Sequence, residues 1–165
     1  MSELSTGQCA TLACLLEVAA PKVGNVHRGA DFEDLTLGDF LTSGVAIGPV
    51  FERAAGRAVG ATVLDAIRAT RALVKTNTNL GIVLLLAPLA AVPRDEPLGP
   101  GVARVLAQLT PDDARDVYAA IQLAQPGGLG DAAEHDVRRD APPADLLIAM
   151  RAASERDLVA RQYVE

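Results

Sequence analysis

Tryptophan is absent from this chain, and only 3% of its 165 residues are aromatic, although half are hydrophobic. This scarcity argues against a β-sandwich, because strands are normally rich in aromatic and β-branched residues. The apolar residues present are mainly Ala, Leu and Val, a mixture that suits packed helices. No convincing run of alternating polar and apolar residues indicates a strand. The composition therefore predicts an all-α, multi-helix bundle.

Cysteine is scarce, and long hydrophobic runs are missing. Cys9 and Cys14 are the only cysteines. They fall five residues apart in one predicted helix, so they cannot link distant parts of the chain, and we expect both to be small buried side chains. No signal peptide is evident at the N-terminus. The longest apolar run, residues 80–92, is too short to cross a bilayer, which takes about 20 residues. We expect a cytoplasmic protein that does not bind membranes.

Positive charge is also in short supply. The chain has 15 Lys and Arg against 21 Asp and Glu, and its formal net charge is −6. Binding to nucleic acid is disfavoured, because neutralising a phosphate backbone requires a basic stripe. A local basic pocket could still bind a polyanionic nucleotide.

Apolar residues recur at helical spacing in seven stretches, which predicts about seven helices. The stretches are residues 6–20, 37–54, 59–74, 80–92, 102–109, a helix with Thr110 as its N-cap that ends at Pro126, and a last helix from Ala144 to near the C-terminus. In the second helix, Gly44 and Gly48 are four residues apart, which indicates close packing against a neighbour. Three long polar segments separate the helices: residues 17–34, 76–81 and 126–136.

The first polar segment carries groups suited to a polyphosphate and its metal ion. Lys22 and Arg28 supply positive charge, and Gly24 would let the backbone approach a ligand. His27 could act as an acid or a base. Hard oxygen ligands for Mg²⁺ follow in the chain: Asp31, Glu33 and Asp34. A loop histidine is more often a surface residue, and an acidic loop is usually only solvated, so both interpretations stay open.

The second and third polar segments could bind an anion through backbone amides. Asn77, Thr78 and Asn79 fall where a predicted apolar helix starts, and free amides there would attract phosphate. The same run is also typical of a plain helix cap. The third segment has glycines that could expose further amides or simply mark a turn: Gly127, Gly128 and Gly130. The sequence contains no P-loop and no strand before a glycine motif, so neither Walker-type nor Rossmann-type binding is indicated.

Several motifs, taken in chain order, match those of one known family. They are L-L-E-V at 15–18, P-K-V-G-N-V-H-R at 21–28, D-F-E-D at 31–34, T-N-T-N-L-G at 76–81, P-G-G-L-G at 126–130, D-V at 136–137, S-E-R-D at 154–157 and R-Q-Y at 161–163. The ordered set resembles the triphosphoribosyl-dephospho-CoA synthase family. The T-N-T-N-L-G motif resembles the form seen in archaea and some bacteria. Val23 replaces the usual second proline, and His27 stands where another branch carries an acidic residue.

The resemblance implies a pentosyltransferase. In that reaction the 2′-hydroxyl of dephospho-CoA attacks C1′ of the ribose of ATP, adenine leaves, and the triphosphate stays on the transferred ribose. The product is the precursor of a prosthetic group for an acyl carrier protein. ATP and dephospho-CoA would be the substrates, with Mg²⁺ as the metal. Because members of this family are usually longer, we expect residues 1–165 to form a single helical domain that is an incomplete N-terminal part of the family domain.

The resemblance also suggests roles for individual residues. We expect His27, Asp31, Asp34 and Asp157 to be catalytic, with Asp31 and Asp34 also holding the metal. Asp157 is preferred over Glu155 because it would share the helix stripe of the neighbouring apolar residues. The residues expected to bind ATP are Glu17, Lys22, Gly24, Asn25, Arg28, Asn77, Thr78, Asn79, Gly81, Gly127, Gly128, Gly130, Asp136 and Arg156.

We expect the three polar segments to meet at one end of the bundle, in a single pocket for a magnesium-bound polyphosphate. Two other functions stay open: a non-catalytic helical module that binds nucleotide or a partner, and a related transferase in another cofactor pathway. The many Ala and Gly residues on helix faces would suit a homodimer, and tight internal packing explains them equally well.

Overall fold

The computed structural model describes residues 3–22, 26–33, 35–127 and 134–165. Within these ranges the chain forms eight α-helices and no sheet, apart from two isolated bridges at His27–Ala30 and Phe32–Leu35. The predicted all-α bundle is confirmed. The helices are α1 Thr6–Ala19, α2 Leu37–Phe51, α3 Val59–Arg71, α4 Leu80–Ala90, α5 Leu98–Ala107, α6 Pro111–Ala124, α7 Leu146–Ala153 and α8 Leu158–Gln162.

The predicted last helix is two helices in the structure. It breaks between α7 and α8, where Asp157 is the N-cap of α8. Oδ1 of Asp157 accepts the amides of Val159 at 2.7 Å and Ala160 at 3.0 Å. Aspartate favours such caps over helix interiors because its carboxylate competes for backbone donors. The expectation that residues 155–157 follow one another on a continuous helix is therefore wrong.

The predicted start of α6 is confirmed. Thr110 is its N-cap, and Asp113 closes a capping box: the Thr110 amide donates to Oδ2 of Asp113 at 2.8 Å, and the Asp113 amide donates to Oγ1 of Thr110 at 3.3 Å. Pro111 occupies the first position, where its missing amide costs nothing. The other oxygen of Asp113 accepts the Gly60 amide at 2.7 Å, which joins the starts of α3 and α6.

Helices α1 and α2 run antiparallel in close contact, as the glycine spacing predicts. A Cβ on Gly44 would lie 2.9 Å from Cβ of Cys14, and one on Gly48 would lie 2.7 Å from Oγ1 of Thr11. Burial raises the pKa of the Cys14 thiol to about 11, which makes it a weak nucleophile. Cys9 is exposed, so the expectation that both cysteines are buried is wrong for Cys9.

Three hydrogen bonds donated by glycine amides define one end of the bundle, away from the polar segments. Gly7 of α1 donates to the Glu52 carboxylate at 2.9 Å, Gly56 donates to the Ala91 carbonyl at 2.9 Å, and Gly60 meets Asp113. The opposite end holds the C-termini of α1, α3 and α6 and the N-termini of α2 and α4. The described parts of all three polar segments are attached to these ends, so they lie at one end of the bundle as expected.

The core lies between α1, α2, α3, α4 and α6, with further contributions from α7, α8 and Tyr163. Its largest fully buried side chains include Phe51, Ile47, Ile67 and Leu146. In the described part of the chain, no helix combines the length and apolar character needed to cross a membrane.

Candidate functional site

A cavity of about 520 Å³ lies among α4, α6, α7 and α8. Its volume falls within the range of about 300–1,000 Å³ that is usual for ligand pockets. Much of its lining is apolar, including Leu80, Leu84, Val117 and Met150. Its polar side chains come from four separate parts of the chain: Asn77, Tyr118, His135, Asp136, Arg156 and Asp157. An apolar lining with a few convergent polar groups is the usual composition of a small-molecule site.

The second polar segment contributes Asn77, Leu80 and Gly81 to the cavity. Oδ1 of Asn77 accepts the Leu80 amide at 3.1 Å, so this amide is already satisfied and is not free for an anion, contrary to the expectation. Thr78 and Asn79 are buried and do not line the cavity. The segment therefore caps α4, as the second interpretation predicted, and it also contributes residues to the cavity.

Thr78 and Asn79 fix the second segment to its neighbours. Oγ1 of Thr78 donates to Oγ of Ser43 in α2, and Nδ2 of Asn79 donates to Oγ1 of Thr70 in α3 at 3.0 Å. These buried bonds hold the start of α4 against α2 and α3. Thr78 and Asn79 therefore position the cavity wall rather than forming it.

Two donors of α6 hold the third segment over the cavity. The Tyr118 hydroxyl donates to the His135 carbonyl at 3.1 Å, and Nε2 of Gln122 donates to the Val137 carbonyl at 2.6 Å. Tyr118 and Gln122 are four residues apart and so share one helix face. Gly127, His135 and Asp136 all line the cavity. The backbone of His135 has φ 56°, in the left-handed region that non-glycine residues seldom adopt.

Asp136 is buried and organises the turn that follows it. Its Oδ1 accepts the Arg138 amide at 2.9 Å, and its Oδ2 accepts the guanidinium groups of Arg138 at 3.2 Å and Arg139 at 3.0 Å. The hydrogen bond from the Arg138 side chain is the largest of several effects that hold the pKa of Asp136 well below its usual range. A carboxylate so strongly paired is a poor base. Asp136 lines the cavity, and its role in binding ATP stays a prediction.

Arg156 and Asp157 lie in the turn between α7 and α8, and both line the cavity. Arg156 is exposed, and its guanidinium makes no ion pair with any residue that the structure describes. One oxygen of Asp157 caps α8, which leaves Oδ2 available to a ligand. The turn between the two helices thus brings both side chains to the cavity.

Tyr163 anchors α8 to the cavity wall. Its buried hydroxyl donates to the Leu84 carbonyl of α4 at 2.7 Å. In a regular helix this carbonyl would accept the amide of residue 88, but Pro88 has no amide proton. Tyr163 thus replaces a donor that the helix lacks, and burial raises the pKa of its hydroxyl far above the usual value. The bond fixes α8, and with it Asp157, against α4.

The described residues of the first polar segment do not line this cavity. Lys22 is paired with the carboxylate of Glu17 and donates to the Glu17 carbonyl at 2.6 Å. Nδ1 of His27 accepts the Gly29 amide at 3.2 Å, and Arg28 is exposed. Oδ1 of Asp31 accepts the Leu37 amide at the start of α2 at 2.7 Å. Thus the structure brings the second and third segments together, whereas the expected single pocket for all three is not seen in the described residues.

Five of the expected site residues lie outside the described residues: Gly24, Asn25, Asp34, Gly128 and Gly130. The expected metal pair therefore cannot be placed as a pair, since Asp34 is one of these. In the ranges that the structure covers, no three His, Cys, Asp or Glu side chains are arranged to hold a metal ion.

Two polar residues of the cavity, Tyr118 and His135, had no expected role in the site. His135 lies in the third polar segment, and no role was predicted for it from the sequence. The sequence pattern that could have indicated a role for Tyr118 is its pairing with Gln122. Both side chains are hydrogen-bond donors, four residues apart on a helix directly before a polar loop. Such a pair can hold backbone carbonyls of that loop.

Comparison with known proteins gives one match. The protein-family model CitG, described as ATP:dephospho-CoA triphosphoribosyl transferase, matches residues 3–165, almost the whole chain. Neither a curated protein nor a solved structure shows a significant match.

Proposed function

The chain belongs to the ATP:dephospho-CoA triphosphoribosyl transferase family, and we propose that the cavity among α4, α6, α7 and α8 is where this transfer takes place. The family's reaction moves the triphosphoribosyl group of ATP to dephospho-CoA and releases adenine. The observation that carries the proposal is the convergence of Asn77, His135, Arg156 and Asp157, from three distant parts of the chain, on one largely apolar cavity.

The cavity offers separate surroundings for the two halves of ATP. Its apolar side chains, among them Leu84, Ile121 and Met150, suit the flat face of a purine. Arg156 supplies a cation without an acidic partner in the described chain, and a guanidinium can hold phosphate oxygens through two parallel hydrogen bonds. The N-terminus of α4, with Gly81 at the cavity, adds the positive end of a helix dipole. A polyanion is therefore accommodated locally on a chain of net charge −6.

Asp157 is the carboxylate best placed to act on the reacting ribose. Departure of adenine leaves positive charge on C1′, so the transition state resembles an oxocarbenium ion. A fixed negative charge beside C1′ stabilises that state more than the ground state. Because α8 immobilises Oδ1 of Asp157, Oδ2 is presented in a defined direction. The same oxygen can accept the proton of the attacking 2′-hydroxyl once the new bond forms.

The first polar segment would bind the far end of the triphosphate. It lies at the same end of the bundle as the cavity, and Lys22 and Arg28 are exposed cations there. Asp31 fits a magnesium ion in its donor chemistry, because Leu37 occupies only one of its carboxylate oxygens. Mg²⁺ is usually held by one or two carboxylates together with phosphate oxygens. When bound, the ion would neutralise part of the triphosphate charge.

The remaining partner assignments follow from the same chemistry. We propose that both substrates are small molecules met in the cytoplasm and that nucleic acid is not a partner, in keeping with the acidic composition. A homodimer also stays a proposal. Exposed Leu12 and Leu16 of α1 and Val45 of α2 are apolar side chains that a second copy could cover. Sedimentation velocity would measure the oligomeric state directly.

The proposed function is tested by incubating the purified protein with ATP, Mg²⁺ and dephospho-CoA and measuring free adenine by chromatography. We expect adenine release that requires both substrates. In Arg156→Ala, loss of a charge-assisted contact of about 1.5–3 kcal/mol should raise KM for ATP roughly 10- to 100-fold. Arg151→Ala is the matched control, because Arg151 is an exposed arginine of α7 that does not line the cavity. Absence of adenine release would contradict the proposal, as would equal effects of the two substitutions.

A further inference from the structure

His135 is the one histidine in the described chain that lines the cavity. Its imidazole makes no hydrogen bond or ion pair with any described residue. His27, by contrast, uses Nδ1 to accept the Gly29 amide and does not line the cavity. A ligand in the cavity can therefore reach the imidazole of His135 without displacing a protein partner.

The backbone around His135 has an uncommon conformation and is held in it by two donors of α6. Its φ of 56° lies in the left-handed region, which few non-glycine residues adopt, although histidine does so more often than most. The Tyr118 hydroxyl, held on α6, donates to the His135 carbonyl, and Gln122 secures the carbonyl two residues later. Strained conformations of this kind persist only where the surroundings enforce them, and they cluster at functional sites.

We propose that His135 is the general acid that protonates adenine as it leaves C1′. The inference rests on the proposed function of the cavity. Adenine is a poor leaving group as an anion and a good one when a ring nitrogen carries a proton. Of the other cavity side chains, Asp136 is paired with two arginines, the Tyr118 hydroxyl donates to the His135 carbonyl, and an arginine cannot give up its proton. In the proposed function, Asp157 stabilises the positive charge on C1′ as a carboxylate. His135 is the side chain suited to that donation.

The step balances in atoms and charge. The C1′–N9 bond breaks, and its electron pair goes to adenine. The imidazolium of His135 gives its proton to an imidazole-ring nitrogen of the purine, and neutral adenine departs. The oxygen of the 2′-hydroxyl forms the new bond to C1′ and loses its proton to Oδ2 of Asp157. Transfer of this proton through water to His135 restores both groups.

The test is the steady-state rate of adenine release by His135→Asn. Asparagine tolerates the left-handed backbone, and Tyr118 can still donate to the carbonyl, so the loop geometry is kept while the proton donor is lost. We expect kcat to fall about 10²- to 10⁴-fold, the usual contribution of a general acid, with little change in KM for ATP. Gln125→Asn is the matched control, because Gln125 has the same left-handed backbone with φ 50°, is exposed and does not line the cavity. It should stay within about threefold of the wild type, a threshold set by the range for surface substitutions.

A second triphosphoribosyl substrate distinguishes a role of His135 in proton transfer from a purely structural role. In 7-methyl-ATP the purine ring already carries a positive charge, so its departure needs no proton. With 7-methyl-ATP as the substrate, the loss of kcat caused by His135→Asn should be at least tenfold smaller than with ATP. A kcat on ATP within threefold of the wild type would overturn the inference, as would an equal loss on both triphosphoribosyl substrates. In either case adenine release by the wild type would still support the proposed function, whereas its absence would refute that function instead.

Discussion

Pro88 removes the amide that would otherwise serve the Leu84 carbonyl, and a tyrosine from the end of the chain takes its place. The carbonyl is buried beside the cavity, so it needs a donor, because an unsatisfied buried polar group costs about 1–3 kcal/mol. The contact joins residues 79 positions apart. A single hydroxyl thus connects the stability of α4 with the position of α8.

Tyr163→Phe should lower the free energy of unfolding by about 1–3 kcal/mol, since it leaves the Leu84 carbonyl without a partner. Urea denaturation followed by circular dichroism measures the change. In a Pro88→Ala background the new amide of residue 88 can serve the same carbonyl, so the cost of Tyr163→Phe should be smaller there. An identical cost in both backgrounds would show that the hydroxyl does not substitute for the missing amide.

Asp157→Asn separates the cap of α8 from the proposed chemistry. Asparagine keeps the oxygen that accepts the amides of Val159 and Ala160, so the stability should change little, while the negative charge is lost. We expect kcat for adenine release to fall by about 10²- to 10³-fold, comparable to the loss of one electrostatic stabiliser. Asp145→Asn is the control, because Asp145 caps α7 in the same way without lining the cavity. Full activity of Asp157→Asn would remove Asp157 from the mechanism.

At the scale of helices, one very close approach lies where α3 and α6 begin. A Cβ on Gly60 would stand 2.5 Å from the backbone oxygen of Asp113, and backbone atoms there cannot move aside as a flexible side chain would. The Gly60 amide is meanwhile bound by the Asp113 carboxylate. Only glycine satisfies both demands at this crossing.

Gly60→Ala should therefore destabilise the fold by about 1–3 kcal/mol, the usual cost of overpacking. Gly99→Ala in α5 makes a matched comparison, because no atom lies within 4 Å of the added methyl group. The control should be neutral or should gain up to about 1 kcal/mol from better helix propensity. Thermal unfolding of both variants measures the difference, and equal melting temperatures would refute the close crossing.

Features of the helices that depend only on residues close together in the chain could be predicted from the sequence. The capping box of Thr110 and Asp113 spans three positions, and the glycine pair of α2 needs only helical periodicity. The break before α8 could not be predicted from the sequence, because the apolar stripe continues through it. Leu158 fits the helical spacing of that stripe, yet its side chain is 72% exposed. Asp157 could either cap a new helix or continue the existing one. The contacts of α8 with α4 decide in favour of the cap.

The candidate site was predictable in part for the same reason. The three polar segments were visible as interruptions of apolar periodicity, and helix directions place their described parts at one end. Which of them share a cavity depends on contacts between distant residues, such as the bond from Tyr118 to His135 and that from Thr78 to Ser43. No local pattern encodes such contacts, so the role of His135 became apparent only in three dimensions.

For the whole molecule, the central claim is that ATP binds in the cavity between α4 and the α7–α8 corner. The most direct measurement is calorimetric titration of ATP into Ala149→Phe, whose side chain would fill the cavity, and into Ala152→Phe, an exposed position on the same helix outside it. We predict that Ala149→Phe weakens ATP binding at least tenfold while Ala152→Phe binds like the wild type. Unchanged ATP affinity in a folded Ala149→Phe protein would contradict the account.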